Sequence, residues 1–317
     1  MAAARSKPDS VEVELAALAA LDPAAPRDVQ KQTTSQALAS KQQRVVARAA
    51  TLVGERNLHE LIPDLLAAWS RFMDSPVKKD PRCLAKTAIT AALFKLEFED
   101  PEFWLAGLRY RQQEPGWGTA ADSAVDIRCN SALALANSRY SRATAELALL
   151  LNDPERGVRS GAARAISCCN PHEAEPLLRF KVAVGDADPE VMGECFSGLL
   201  AIAPEESMAL VAERLRDSDA GVADYAALAL GESRHPAALK PLQDAWSVTP
   251  PSSELRQVLA RAAALHRSDA AMDWLLGIVE RADAKSADIA ADALSVFDRN
   301  DKLMERLKAA QAARSRR

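Results

Sequence analysis

The sequence predicts an all-α fold, an α-solenoid of about eight helix pairs. Three observations point there. Hydrophobic residues make up 48% of the 317-residue chain, yet only 5% are aromatic and only 12 are glycine, so alanine and leucine supply most of the apolar content. That balance favours helices packed closely through small side chains. One apolar register also recurs along the chain, which is the mark of a repeat architecture. Finally, Asp80-Pro81, Asp100-Pro101, Asp153-Pro154 and Asp188-Pro189 stand at element starts. Each offers a carboxylate to cap free backbone N–H groups before a proline tolerated in the first helical turn.

Taken in order, residues 1–40 hold prolines and polar residues without repeat register and predict an N-terminal segment with helices near 10–21 and 28–40 that caps the array. Residues 41–310 form the array proper. Aligned on one aliphatic residue, apolar or small side chains follow at +4, +5, +7 and +8, one face of a helix. Val158 is followed in this way by Ala162, Ala163, Ala165 and Ile166. The same register recurs at Val45, Leu84, Ile127, Val191, Val222, Leu255 and Ile289. After each such helix comes a short polar break and a second apolar pattern, as in "EAEPLLRFKVAV" or "AAMDWLLGIV". Helices this short gain stability only by stacking on neighbours. Residues 311–317 are a basic tail, whose cations complement the dipole of a last helix.

An Asp-Pro start, then Val158-Arg159, then "GAARAI" resembles the HEAT-repeat signature, especially the short bacterial phycobilisome-lyase-like type. Ile127-Arg128 and Leu255-Arg256 repeat the aliphatic-Arg pair, whereas Val191-Met192 and Val222-Ala223 depart from it. The resemblance covers roughly residues 41–310 and implies a right-handed HEAT-repeat solenoid, a fold that specifies packing rather than chemistry.

Anchors from Ile127 onward lie 31 to 34 residues apart, but Leu84 to Ile127 spans 43. The excess is the stretch "QQEPGWGT", so residues 112–121 form an insertion loop, stiffened by Pro115 and bent by Gly116 and Gly118. Insertions in repeat arrays map to loops on one face, often the binding face. Trp117 is either an anchor for a partner or a pin that folds back into a groove between repeats. Asp122 is a candidate N-cap, Asp126 a candidate for an ion pair with an arginine of the next repeat, and Arg128 completes the cluster. Second helices line the concave face in the resembled family, which implies Arg109, Arg179, Lys181 and Arg214 as further partner contacts, beside Trp69, Arg71, Trp104, Trp246 and Trp274. Trp104 and Trp274 sit on strongly apolar stretches that predict burial.

Chemistry has no evident carrier. The pairs His59-Glu60 and His172-Glu173 raise the HEAT-repeat deoxyhypusine hydroxylases, whose di-iron site takes imidazole and carboxylate ligands; that family needs four His-Glu motifs where this chain has two, so no metal and no cofactor is expected. His235 and His266 fall at turns. Cys83, Cys129, Cys168, Cys169 and Cys195 include no CxxC spacing and read as small buried residues of a reducing compartment. A formal net charge of -4 offers no general field for nucleic acid, unlike the basic HEAT-like DNA glycosylases. Without a secretory h-region or an apolar run of membrane length, the chain reads as cytoplasmic. The expected function is a non-enzymatic scaffold for a protein partner, with a HEAT-repeat enzyme, hydroxylase-like or bilin-lyase-like, as the alternative and a nucleic-acid binder behind it.

Overall fold

The structure, a computed structural model, describes residues 10–116 and 120–316. Trp117, Gly118 and Thr119 therefore lie outside the described residues. The chain divides into two compact units, Met1–Ala165 and Ile166–Arg317.

In the first unit, α1 (Ser10–Ala19) and α2 (Arg27–Leu38) match the two N-terminal helices expected. They are followed by α3 (Gln43–Glu55), α4 (Ile62–Met73), the single turn α5 (Pro76–Lys79), α6 (Leu84–Lys95) and α7 (Pro101–Arg109). Two two-residue strands come next, β1 (Gln113–Glu114) and β2 (Ala121–Asp122), then α8 (Val125–Asn137) and α9 (Ala143–Leu150). Helix α10 (Arg156–Ile166) ends at the division. First helices stack in succession, α3 on α6 and α6 on α8, while α7 packs on α8.

The second unit repeats this logic with α11 (Pro171–Val184), α12 (Pro189–Ile202), α13 (Pro204–Glu213), α14 (Ala220–Ser233), α15 (Leu239–Val248), α16 (Glu254–His266), α17 (Asp269–Arg281), α18 (Ala284–Ser295) and α19 (Asp301–Ser315). Here α12, α14, α16 and α18 stack in order. The positions counted from Val191 and Val222 form their buried seam, including Cys195, Phe196, Leu199, Ala226, Ala227 and Leu230. Gly231 lets α14 and α16 close up: a Cβ there would stand 2.2 Å from the carbonyl oxygen of Ala262. Among the described residues no helix is long and apolar enough to cross a membrane.

The all-α repeat is thus present, with two register corrections. The anchor Leu84 is 44% exposed, and the buried series begins one residue later with Ala85, Lys86, Ile89, Ala92 and Leu93. The cause is the start of α6: Arg82 and Cys83 take left-handed φ values of 61° and 54°, which rotates the helix entry by a residue. Asp80 then caps α6 rather than the turn at Pro81, its Oδ1 accepting from Ala85 N at 2.9 Å and Oδ2 from Lys86 N at 3.0 Å. In the last pair, Val296 is 74% exposed and Ser286, Ala287, Ala290 and Leu294 are buried instead; among the described residues no further first helix covers its outer side. The other Asp-Pro carboxylates cap as expected, Asp100 toward Glu102 and Phe103 and Asp188 toward Glu190. Trp104 is 1% exposed, while Trp274, expected in the core, is half-buried.

Candidate functional site: an anchored ribbon

The insertion between α7 and α8 is not an irregular loop but an antiparallel ribbon, with Gln113 opposite Asp122 and Glu114 opposite Ala121. Two-residue strands cannot hold themselves. Side chains hold them instead, and most are charged.

Gln112 is the centre. Its backbone N–H donates to Asp122 Oδ1 at 3.1 Å, and its amide Nε2 donates to the carbonyl of Asp80 at 2.9 Å and to Glu114 Oε1 at 2.6 Å. On the other side its Oε1 accepts from Lys86 Nζ and from the Tyr110 hydroxyl, each at 2.7 Å. Lys86 is fully buried, 3.5 Å from Asp80 Oδ2 and 5.4 Å from the centre of the Tyr110 ring. A buried ammonium is tolerated only when paired and hydrogen-bonded in this way. Glu114 Oε1 also accepts from Arg82 N and Ser123 Oγ, both at 2.6 Å. Burial pushes the Glu114 carboxyl up, but the bonds from Ser123, Gln112 and Arg82 outweigh it and hold it below its ordinary value.

A second layer fixes the return strand. Arg128, fully buried on α8, donates through Nη1 to Asp122 Oδ2 at 2.7 Å and to the carbonyl of Tyr110 at 2.9 Å, and lies 3.4 Å from Asp153 Oδ1 through Nη2. Arg111 closes the other side at 2.5 Å from Asp153 and 3.9 Å from Asp122. For Asp122, too, burial raises the carboxyl while the N–H groups of Ala124 and Gln112 and the Arg128 guanidinium lower it further, for a net shift downward. Tyr110 packs on Trp69 with ring centres 6.1 Å apart, and burial drives its phenol upward. Beneath lie Cys83, Ala124 and Ile127.

The expected site residues divide accordingly. Asp122 and Arg128 are brought together, but inside the protein. Asp126, expected in an ion pair, is exposed and makes none among the described residues; Asp153 takes that role toward Arg128, because it begins the next repeat's first helix. Arg109, Arg179, Lys181 and Arg214 do not join the cluster. Each has an acid of its own: Glu146 at 3.1 Å, Glu175 at 2.7 Å, Asp186 at 2.7 Å and Asp217 at 3.3 Å. Of the two His-Glu pairs, Glu60 is engaged by Arg27 at 2.8 Å and His172 lies exposed in the first turn of α11. Cys83 and Cys195 are buried as expected, whereas Cys168 is exposed and Cys129 and Cys169 are intermediate. A cavity of about 510 Å³ opens at the far end of α6 between Phe94, Phe98 and Trp104, with Lys95 and Glu97 in its wall.

With that geometry in view, similarity to other proteins adds little. No protein-family model and no curated protein sequence matches the chain. Solved structures to which it is similar include the complex of CpcE and CpcF of phycocyanin lyase from Nostoc sp. PCC7120, at 16% identity, 97% coverage of each chain and a TM-score of 0.40. An engineered protein is similar at 14% identity, covering 90% of this chain and 98% of its own, with a TM-score of 0.25. Both superpositions are loose. The site has to speak for itself.

Sequence reasoning missed Lys86, Gln112 and Glu114 as site residues, and it read Asp80 and Asp153 only as helix caps. One signal was available for Lys86: it is the lone charge within the apolar run "CLAKTAITAALF", at a position one turn before Thr90 on a buried face.

Proposed function

We propose that the chain is a non-enzymatic protein-binding scaffold whose contact element is the ribbon bounded by Gln112 and Ser123. The observation that carries this reading is the anchorage of the stem. Joining α7 to α8 needs no such device; the equivalent link, from α11 to α12, takes the four residues 185–188. Buried ion pairs are also a poor route to stability, because desolvation offsets most of their Coulombic gain. What Lys86, Asp80, Gln112, Glu114, Asp122 and Arg128 supply is a fixed exit at Glu114 and a fixed return at Ala121 for the residues between. Ordering that is complete before contact lowers the entropy cost of association, and the tip sequence Pro115-Gly116-Trp117-Gly118 includes the residue type most enriched among interface anchors.

The enzyme alternative has less support from the side chains present. Burial pushes the thiols of Cys83 and Cys129 up to about 11 and that of Cys195 to about 12, so none is a thiolate nucleophile at neutral pH.

The test is affinity capture from the native cell with mass spectrometry, using the intact protein, Trp117→Ala, and a variant with residues 115–120 replaced by Gly-Ser, each checked for fold by circular dichroism. A partner held by the intact protein and lost by both variants is expected. Partners retained by both variants overturn the ribbon reading; a bound metal or chromophore with no protein partner overturns the scaffold reading altogether.

A further inference from the structure

The register correction at α6 aligns Lys86 with Arg128: each follows the anchor of its first helix, each is fully buried, and each has a carboxylate of the chain within ion-pair distance, Asp80 for one and Asp122 with Asp153 for the other. Arg159, at the same place in α10, donates to the carbonyls of Asp153 and Pro154 at 2.9 and 3.1 Å. Arg256, in the second unit, holds the same register on α16 and differs from all three.

Arg256 is 9% exposed. Its guanidinium lies 4.2 Å from the centre of the Trp246 ring, which Trp274 braces edge-on at 5.6 Å. Nε is buried without an acceptor, as is Nε of Arg128, so the difference lies in the Nη groups. The Nη groups bond to no described residue, and no carboxylate among the described residues comes within ion-pair distance of them. The acid that senses Arg256 is Asp283, and both its oxygens are taken by the Ser286 N–H and hydroxyl at 3.0 and 2.6 Å. A guanidinium over an indole face can keep the edge formed by its two Nη groups free, the edge that grips a carboxylate end-on through two parallel bonds. The two Nη groups, which meet no acceptor among the described residues, are left to pair with a carboxylate that arrives from outside.

We propose that Arg256, stacked on Trp246 and braced by Trp274, is a binding site for a carboxylate side chain of an acidic segment in a protein partner. This takes the protein-binding reading as given but rests on residues separate from the ribbon. Carboxylate is favoured over other anions because the fully buried cations at the same register position, Lys86 and Arg128, have carboxylates of the chain at 3.5 and 2.7 Å.

The probe is a blocked pentaglutamate peptide, titrated into the full chain while the indole N–H resonance of Trp246, assigned with Trp246→Phe, is followed by NMR. A saturable shift with a dissociation constant on the order of 1 mM is expected, weakened about tenfold in Arg256→Gln and also weakened in Arg256→Lys, which keeps the charge and loses the fork. Pentaglutamine should leave the resonance in place. The titration of the unsubstituted protein decides the matter even if a variant fails to fold: no shift up to saturation of the glutamate peptide overturns the site. Equal affinity in a folded Arg256→Gln overturns it too, and displacement by inorganic phosphate at lower concentration than the peptide overturns the carboxylate assignment. Trp117→Ala should not alter the titration. A silent peptide with ribbon-dependent capture sinks the Arg256 site alone, and the reverse sinks the ribbon alone.

Discussion

Replacing Arg128 by methionine tests whether the ribbon is held by a buried ionic layer or by an ordinary surface pair. The guanidinium has no exposure and touches three acceptors, Asp122 at 2.7 Å, the Tyr110 carbonyl at 2.9 Å and Asp153 at 3.4 Å. Removing one partner of a buried pair leaves uncompensated charge and costs about 3–5 kcal/mol. Two features pull the figure toward the lower end. Arg111 stays 2.5 Å from Asp153, and the substitution removes the buried Nε that has no acceptor. A loss of about 3 kcal/mol at pH 7 is expected, read by urea unfolding followed through circular dichroism and through fluorescence of Trp69 and Trp104. The pH dependence supplies a second readout. Asp122 has a folded pKa below its unfolded value, so its contribution is present above the unfolded pKa near 3.9 and vanishes as pH falls through the folded one. Without Arg128 that folded pKa rises, the acid transition moves to higher pH, and the gap between the two proteins narrows as the carboxylates protonate. A loss below about 1 kcal/mol, the range of exposed ion pairs, would refute the buried-layer reasoning.

Other outcomes follow from the same contacts. Glu114→Gln should leave the helices intact but raise amide exchange of Ala121 and Ser123, and in the unsubstituted protein the stem should stay locked from neutral pH down to the usual carboxylate range and open only below it, because the Glu114 pKa is lowered on folding. Hydrogen exchange by NMR across pH 3–7 reads both; opening already near pH 6 contradicts the assignment. Gly231→Ala drives a methyl group to within 2.2 Å of the Ala262 carbonyl, so α14 and α16 must separate, at a cost of about 2–3 kcal/mol in the second unit, measured by thermal unfolding of the full chain. In native protein at pH 8, iodoacetamide should modify exposed Cys168 first and spare Cys83 and Cys195, whose burial raises their pKa values to about 11 and 12; mass mapping of early labelling checks the order.

The helix pairs were legible because each first helix presents four or five apolar positions to its neighbours, and a pattern of period 3.6 survives any detail of packing. The register of α6 was not, since Leu84 and Ala85 are equally apolar and the choice between them is made by left-handed Arg82 and Cys83, a backbone state that L-residues seldom signal. The ribbon was visible as excess length, but strands of two residues leave no alternation to detect. Its anchors were hidden for another reason. Gln112, Glu114 and Asp80 are residues of the kind that solvated loops use, and only the burial of Lys86 gives them work. The dipeptides Ile127-Arg128 and Leu255-Arg256 show the limit most directly: one pattern, two opposite electrostatic fates, Arg128 meeting Asp122 at 2.7 Å and Asp153 at 3.4 Å while Asp283, near Arg256, is turned to Ser286.

The Gln112 amide has one further consequence. Its oxygen faces two donors and its nitrogen two acceptors, so the group fits in one orientation only, like a keyed joint. A slip of the strand by one residue would seat Gln113 there with the opposite facing of the backbone, and the fit would be lost. The Gln112 amide therefore fixes the register at the base of the ribbon, below Glu114 and Ala121. Segments of other length or sequence spliced across those two residues should leave the joint intact, and the helical frame would not have to change with them.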